Sequence, residues 1–84
     1  MGGFLTRKPL EIYVSKSLDL ETEMLCKLLT IAEKQIETAV KAIKKSGQYV
    51  DTLNSVDFIY KKQYKVEIKF RNTYVRMEIS EFHG

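Results

Sequence analysis

The stretch Ser17–Gly47, SLDLETEMLCKLLTIAEKQIETAVKAIKKSG, constrains this chain more than any other part of it. Leu25, Leu28, Leu29, Ala32, Ile36, Ala39, Val40 and Ile43 recur at steps of three and four. On a period of about 3.6 residues that spacing makes one apolar stripe. Ser17 or Asp19 can cap the N-terminus, where Glu21 and Glu23 complement the positive end of the helix dipole. Lys44 and Lys45 complement the negative end, and Gly47 can adopt the left-handed capping conformation. No Pro or Gly interrupts the run. One long amphipathic helix follows.

A helix of about 27 residues, rising about 1.5 Å per residue, is a rod of roughly 40 Å. Strands of ordinary length run about 17–30 Å and lie about 4.8 Å apart, so a small sheet leaves part of such a rod uncovered. Leu20, Met24 and Ile31 widen the stripe toward its N-terminal half. These three are the expected self-association surface, and a homodimer is the expected state. A chain of 84 residues has a small core, near the size at which association often adds stability.

The rest of the chain changes period. Pro9 opens LEIYV, in which Leu10, Ile12 and Val14 alternate with Glu11 and Tyr13, as in a half-buried strand. Proline at its start suits a strand beginning or a sheet edge. After the helix, Tyr49, Val50 and Leu53 are the expected anchors of an irregular connector. Val56–Tyr60 reads as a second strand and Tyr64–Arg71 as a third, with Val66, Ile68 and Phe70 on one side. Asn72 and Thr73 make a turn, with Asn tolerating positive φ. Tyr74–Phe82 reads as a fourth strand with Val75, Met77 and Ile79 facing inward. Short connections make the last three strands an antiparallel meander. The fold class is α+β: one long helix on a mostly antiparallel four-stranded sheet, in the order β-α-β-β-β. Which neighbour the first strand takes is open. Residues 9–82 form one domain, with flexible tails at 1–8 and 83–84.

Met1–Lys8 contains Gly2 and Thr6 in the M-G-x-x-x-[ST] arrangement of N-myristoylation, with Arg7 and Lys8 beside it. The pattern is short and frequent by chance, so a mobile tail is preferred and membrane contact is expected only if Gly2 is acylated. No apolar run approaches the roughly 20 residues of a membrane span. The one cysteine, Cys26, has no internal partner, and a reducing, cytoplasmic setting fits it. On the helix it reads as a small apolar filler.

The supply of catalytic groups is thin. His83, the one histidine, stands next to the last residue; there is no metal-ligand spacing and no phosphate-binding glycine loop. Neither an enzyme, a metal nor a cofactor is expected. Glu33 and Glu37, with Lys34 and Lys41 around them, read as a solvated helix face.

What remains is the side of the sheet away from the helix. It gathers Tyr13, Lys65, Lys69, Arg71, Tyr74 and Arg76, the expected partner-binding residues. Rings among cations suit single-stranded nucleic acid, which needs planes for stacking and charge for phosphate. Glu11, Glu67 and Glu78 dilute that charge, and alternating Lys and Glu are common on solvated strands. The formal charge of +3 is a mild bias toward anionic partners. The leading expectation is a small interaction protein that binds a macromolecular partner, foremost a protein, with inhibition of that partner one outcome such binding allows. Accessory proteins of viruses and mobile elements are often built in this style. The alternative is a single-strand or RNA-binding module using the same face.

Overall fold

The computed structural model describes residues 8–83 of the chain; the Gly2 pattern and most of the expected N-terminal tail lie outside these residues. Strand β1 (Leu10–Val14) leads into helix α1 (Thr22–Lys45). A short 3-10 turn (Val50–Thr52) then precedes β2 (Ser55–Tyr60), β3 (Tyr64–Phe70) and β4 (Val75–Glu81). The fold is α+β with the element order β-α-β-β-β, and its one sheet is mixed but mostly antiparallel.

Strand order is β1-β4-β3-β2. The last three strands form the antiparallel meander that their short connections dictate, with Phe58 opposite Val66 and Ile68 opposite Met77. The first strand lies at an edge, parallel to β4, with Leu10 beside Val75 and Val14 beside Ile79. β1 and β2 therefore run the same way on opposite edges. Parallel strands cannot be joined by a tight turn, and the long helix supplies the crossover over the two strands between them.

Alternation in β3 and β4 sends Val66, Ile68, Phe70, Val75, Met77 and Ile79 to one face, where they meet Leu28, Ala32 and Ile36 of the helix. Val66, Ile68, Val75, Met77 and Ile79 are all at most 1% exposed, so the core lies under the two central strands. Leu28, Ala32 and Ile36 are the helix positions that face the sheet squarely. Leu18, Leu20, Met24, Leu25, Leu29 and Val40 close around them.

The helix ends differ in quality. At the C-terminus Gly47 takes φ +81°, and the Gln48 and Gly47 amides donate to the Ile43 and Lys44 carbonyls, both at 3.1 Å. That pairing is a Schellman cap, as the glycine leads one to expect. At the N-terminus the helix starts later than the sequence suggests. Glu21 occupies the cap position without a side-chain hydrogen bond. Ser15 and Ser17 instead shape the turn before it: the Leu18 amide donates to the Ser15 carbonyl at 3.0 Å, and the two serine hydroxyls lie 3.1 Å apart. Leu18 and Leu20 need this extended approach to reach the core.

Two further expectations change. Cys26 is exposed rather than a core filler, because two residues from Leu28 places it on the far side of the helix. The Tyr49 side chain is 83% exposed and is not the apolar anchor expected, although its carbonyl accepts from the Thr52 amide and hydroxyl; Leu53, and in part Val50, hold the connector. The Tyr60–Tyr64 connection is tighter than its composition suggests. Lys61 and Lys62 both adopt positive φ, 54° and 56°, and the Gln63 amide donates to the Tyr60 carbonyl at 3.0 Å. This is the twist of a type I′ turn made by two lysines.

Candidate functional site

The face of the sheet away from the helix is open, and its rows follow from the strand registers. One row runs Glu11, Arg76, Lys69, Ser55 across β1, β4, β3 and β2. The next runs Tyr13, Glu78, Glu67, Asp57. A third begins at Ser80 and continues through Lys65 to Ile59. Tyr74, just ahead of β4, shares the side of Arg76 by the period-two rule.

Arg76 sits at the centre of the best-defined cluster. Its guanidinium carbon lies 4.7 Å from the centre of the Tyr13 ring and 5.6 Å from that of Tyr74. Both distances are within the range of cation–π attraction. Its nitrogens also approach Glu11 Oε1 and Glu78 Oε2, each at 3.8 Å. Arg76 Nε is buried and has no hydrogen-bond partner among the described residues, which costs the cluster part of what its other contacts contribute. The Tyr13 hydroxyl donates to Glu11 Oε1 at 3.2 Å, tying the cluster to β1. Lys69 pairs with Glu78 at 3.3 Å, across the β3–β4 ladder. Like-charged Glu67 and Glu78 stand opposite each other with Asp57 alongside, so the row beside the cations is acidic.

The expected site residues therefore separate. Tyr13, Tyr74 and Arg76 come together, Lys69 adjoins them through Glu78, and Lys65 lies two rows from Arg76 and Lys69, without an ion pair among the described residues. Arg71 does not join them. It falls one residue past β3, where its guanidinium donates to the Phe70 carbonyl at 3.2 Å. It lines a hollow at the sheet's end with Lys8, whose ammonium donates to the Arg71 carbonyl at 2.8 Å. Of the expected self-association residues, Leu20 and Met24 pack against the core, while Ile31 is half-buried outside that packing.

Charge on the open face differs from its first impression. Glu11, Asp57, Glu67 and Glu78 outnumber Lys65, Lys69 and Arg76, so the net positive charge of the chain lies elsewhere, on the helix and the loops. Ile59, 48% exposed on this face, is a member that the sequence reading passed over. Its signal was present: in VDFIY, Val56, Phe58 and Tyr60 share one parity and leave Asp57 and Ile59 to the other.

Among the described residues no group of three or more His, Cys, Asp or Glu side chains is placed to hold a metal ion. No helix among them is long and apolar enough to cross a membrane. No family model matches the chain, and searches of curated proteins and of solved structures found no match either.

Proposed function

We infer that the chain is a non-enzymatic binding protein that meets a protein partner through its open sheet face, and does so as a homodimer. The observation that carries this reading is the Tyr13–Arg76–Tyr74 cluster, an arginine set against two rings on an otherwise solvated surface. Tyrosine and arginine are the side chains that most often anchor protein contacts, and little entropy is left to lose when they are already held. Lys69 and Ile59 extend the surface on either side of the acidic row. Binding of this kind inhibits a partner by covering its surface. Exposed, unpaired Cys26 suits a reducing, cytoplasmic setting.

Binding of single-stranded nucleic acid through the same face has less support. Phosphate neutralisation needs cations free of carboxylates. Here Arg76 and Lys69 are ion-paired, and the acidic side chains outnumber the basic ones. Fluorescence anisotropy of labelled single-stranded RNA and DNA, at about 50 and about 200 mM salt, separates the two readings. No binding at the lower salt is expected. Binding that falls steeply with salt and is abolished by Lys65→Glu with Lys69→Glu overturns the protein reading. In capture experiments on lysate of the source cells, a specific protein partner should survive Lys65→Glu and be lost with Tyr13→Ala plus Tyr74→Ala.

A further inference from the structure

Three of the large apolar side chains that remain exposed are consecutive: Ile12 at 36%, Tyr13 at 49% and Val14 at 37%. All three belong to β1, whose outer edge has no strand beside it among the described residues. The hydrogen bonds at its two ends fix which backbone groups that edge presents. The Val75 amide donates to the Pro9 carbonyl at 3.0 Å, and the Ser15 amide donates to the Ile79 carbonyl at 2.9 Å. Residues alternate in direction along a strand, so Pro9, Glu11, Tyr13 and Ser15 turn their backbone groups toward β4. Leu10, Ile12 and Val14 turn theirs outward, and their side chains lie on the helix side beside Val75, Met77 and Ile79.

We propose that β1 is the self-association edge of this protein, pairing antiparallel with β1 of a second copy about a two-fold axis at Ile12. The inference rests on the homodimer reading above and moves its surface from the helix to the sheet edge. Any register centred on a residue keeps outward groups opposite outward groups, and those that overlap most of the strand are centred on Glu11, Ile12 and Tyr13. Centring on Glu11 sets two carboxylates face to face. Centring on Tyr13 leaves Leu10 without an outward-facing partner. Centring on Ile12 pairs Leu10 with Val14 of the second copy and Ile12 with its own equivalent. All three outward residues then exchange both of their backbone hydrogen bonds. The same register sets Glu11 opposite Tyr13 of the second copy, which avoids like charge and matches the hydroxyl–carboxylate contact already made within one chain. LEIYV is thus complementary to itself, as a two-fold interface requires.

The opposite edge lacks this property. The Phe70 amide donates to the Asn54 carbonyl at 2.9 Å, so Ser55, Asp57 and Ile59 face outward on β2. The equivalent pairing there, centred on Asp57, sets two carboxylates against each other. A charge on an edge strand is a common guard against pairing, and β1 has none among its outward residues.

Pairing at β1 joins two four-stranded sheets into one of eight and brings both Tyr13–Arg76–Tyr74 clusters beside the two-fold axis. The test is the molar mass of the full chain by light scattering up to about 200 µM, since an edge contact buries less area than a standard interface. The expected mass is twice 9.8 kDa. Ile12→Pro, which removes an outward amide, and Val14→Lys, whose half-exposed position accepts the change without loss of the fold, should both give a single-chain mass. Ile31→Lys on the helix and Ile59→Lys on the open face should leave it doubled. In a Cys26→Ser background, Ile12→Cys should cross-link between copies and Ile59→Cys should not.

A single-chain mass for the unmodified protein overturns the proposal, and so does a dimer that Ile31→Lys breaks and Val14→Lys does not. A single chain that loses its protein partner on Val14→Lys also overturns it, and assigns the edge to a foreign strand. A single chain that still captures that partner through Tyr74 overturns this inference alone. A β1-dependent dimer that captures nothing supports it and removes only the open-face reading.

Discussion

Arg76 is the residue at which the open face is decided. Its charge is shared among two carboxylates at 3.8 Å and two ring faces, and none of these contacts is strong by itself. Half-exposed ion pairs contribute about 0–1 kcal/mol each, and a cation over a ring about 0.5–2 kcal/mol depending on how dry it is. Tyr13→Phe keeps the ring and should change unfolding free energy by less than about 0.5 kcal/mol, whereas Tyr13→Ser should lower it by about 1–2 kcal/mol. Urea denaturation of the two variants checks this, and equal losses would show that the ring does not hold Arg76. The lysine pair at the β2–β3 turn offers the opposite case, a local conflict that can be relieved. Left-handed backbone costs an ordinary residue about 1–2 kcal/mol, and asparagine followed by glycine is the favoured pair for this turn. Lys61→Asn with Lys62→Gly should raise stability by about 1–2 kcal/mol, visible as a higher urea midpoint with an unchanged slope.

Among the elements, the helix and the two central strands were the most legible in the sequence, because a period of three to four or of two is written directly in side-chain order. Gly47 marked the helix end for the same local reason. A Cβ built there meets nothing within 4 Å, so its conformation alone calls for glycine. The helix start was misplaced because Ser17 and Asp19 are good caps by type, while the burial of Leu18 and Leu20, a tertiary demand, holds the chain extended past them. That leaves Glu21 as a poor cap, and Glu21→Asp should add about 1 kcal/mol by supplying a shorter carboxylate to the first free amides. Thermal melts at matched concentration measure it. The place of β1 was legible only as far as Pro9 suggests an edge; its neighbour was not. Alternation in LEIYV specifies a face but carries no record of the neighbouring strand. The candidate site was legible to the same extent. Tyr13, Tyr74 and Arg76 could be assigned to one face, but their meeting depends on β1 lying beside β4 in one register, as does the pairing of Arg76 with Glu11.

For the whole molecule, the division into a dry face and a wet face sets how substitutions are felt. Ile68 and Ile59 are isoleucines on neighbouring strands, one 1% and the other 48% exposed. Ile68→Ala should cost about 2–5 kcal/mol through lost burial and the cavity left behind. Ile59→Ala should cost less than about 1 kcal/mol, and chemical denaturation of both distinguishes the faces. Charge follows the same division. The open face carries more acid than base, so the overall +3 describes the molecule and misdescribes its candidate site.

The pairing of β1 with β4 also orders events in time. Of the elements described, β1 is the first to be synthesised and β4 the last, yet each is the other's neighbour. The helix and the β2–β3 hairpin close over short loops and can form early, while β1 has no ladder to join until β4 exists. During that interval Leu10, Ile12 and Val14 are bare and the newest strand has an empty flank, the condition in which nascent chains misassociate. As the pairing of longest sequence separation, this ladder is the expected slow step in folding, and dilution or a chaperone that holds extended apolar segments should then raise the yield of folded protein.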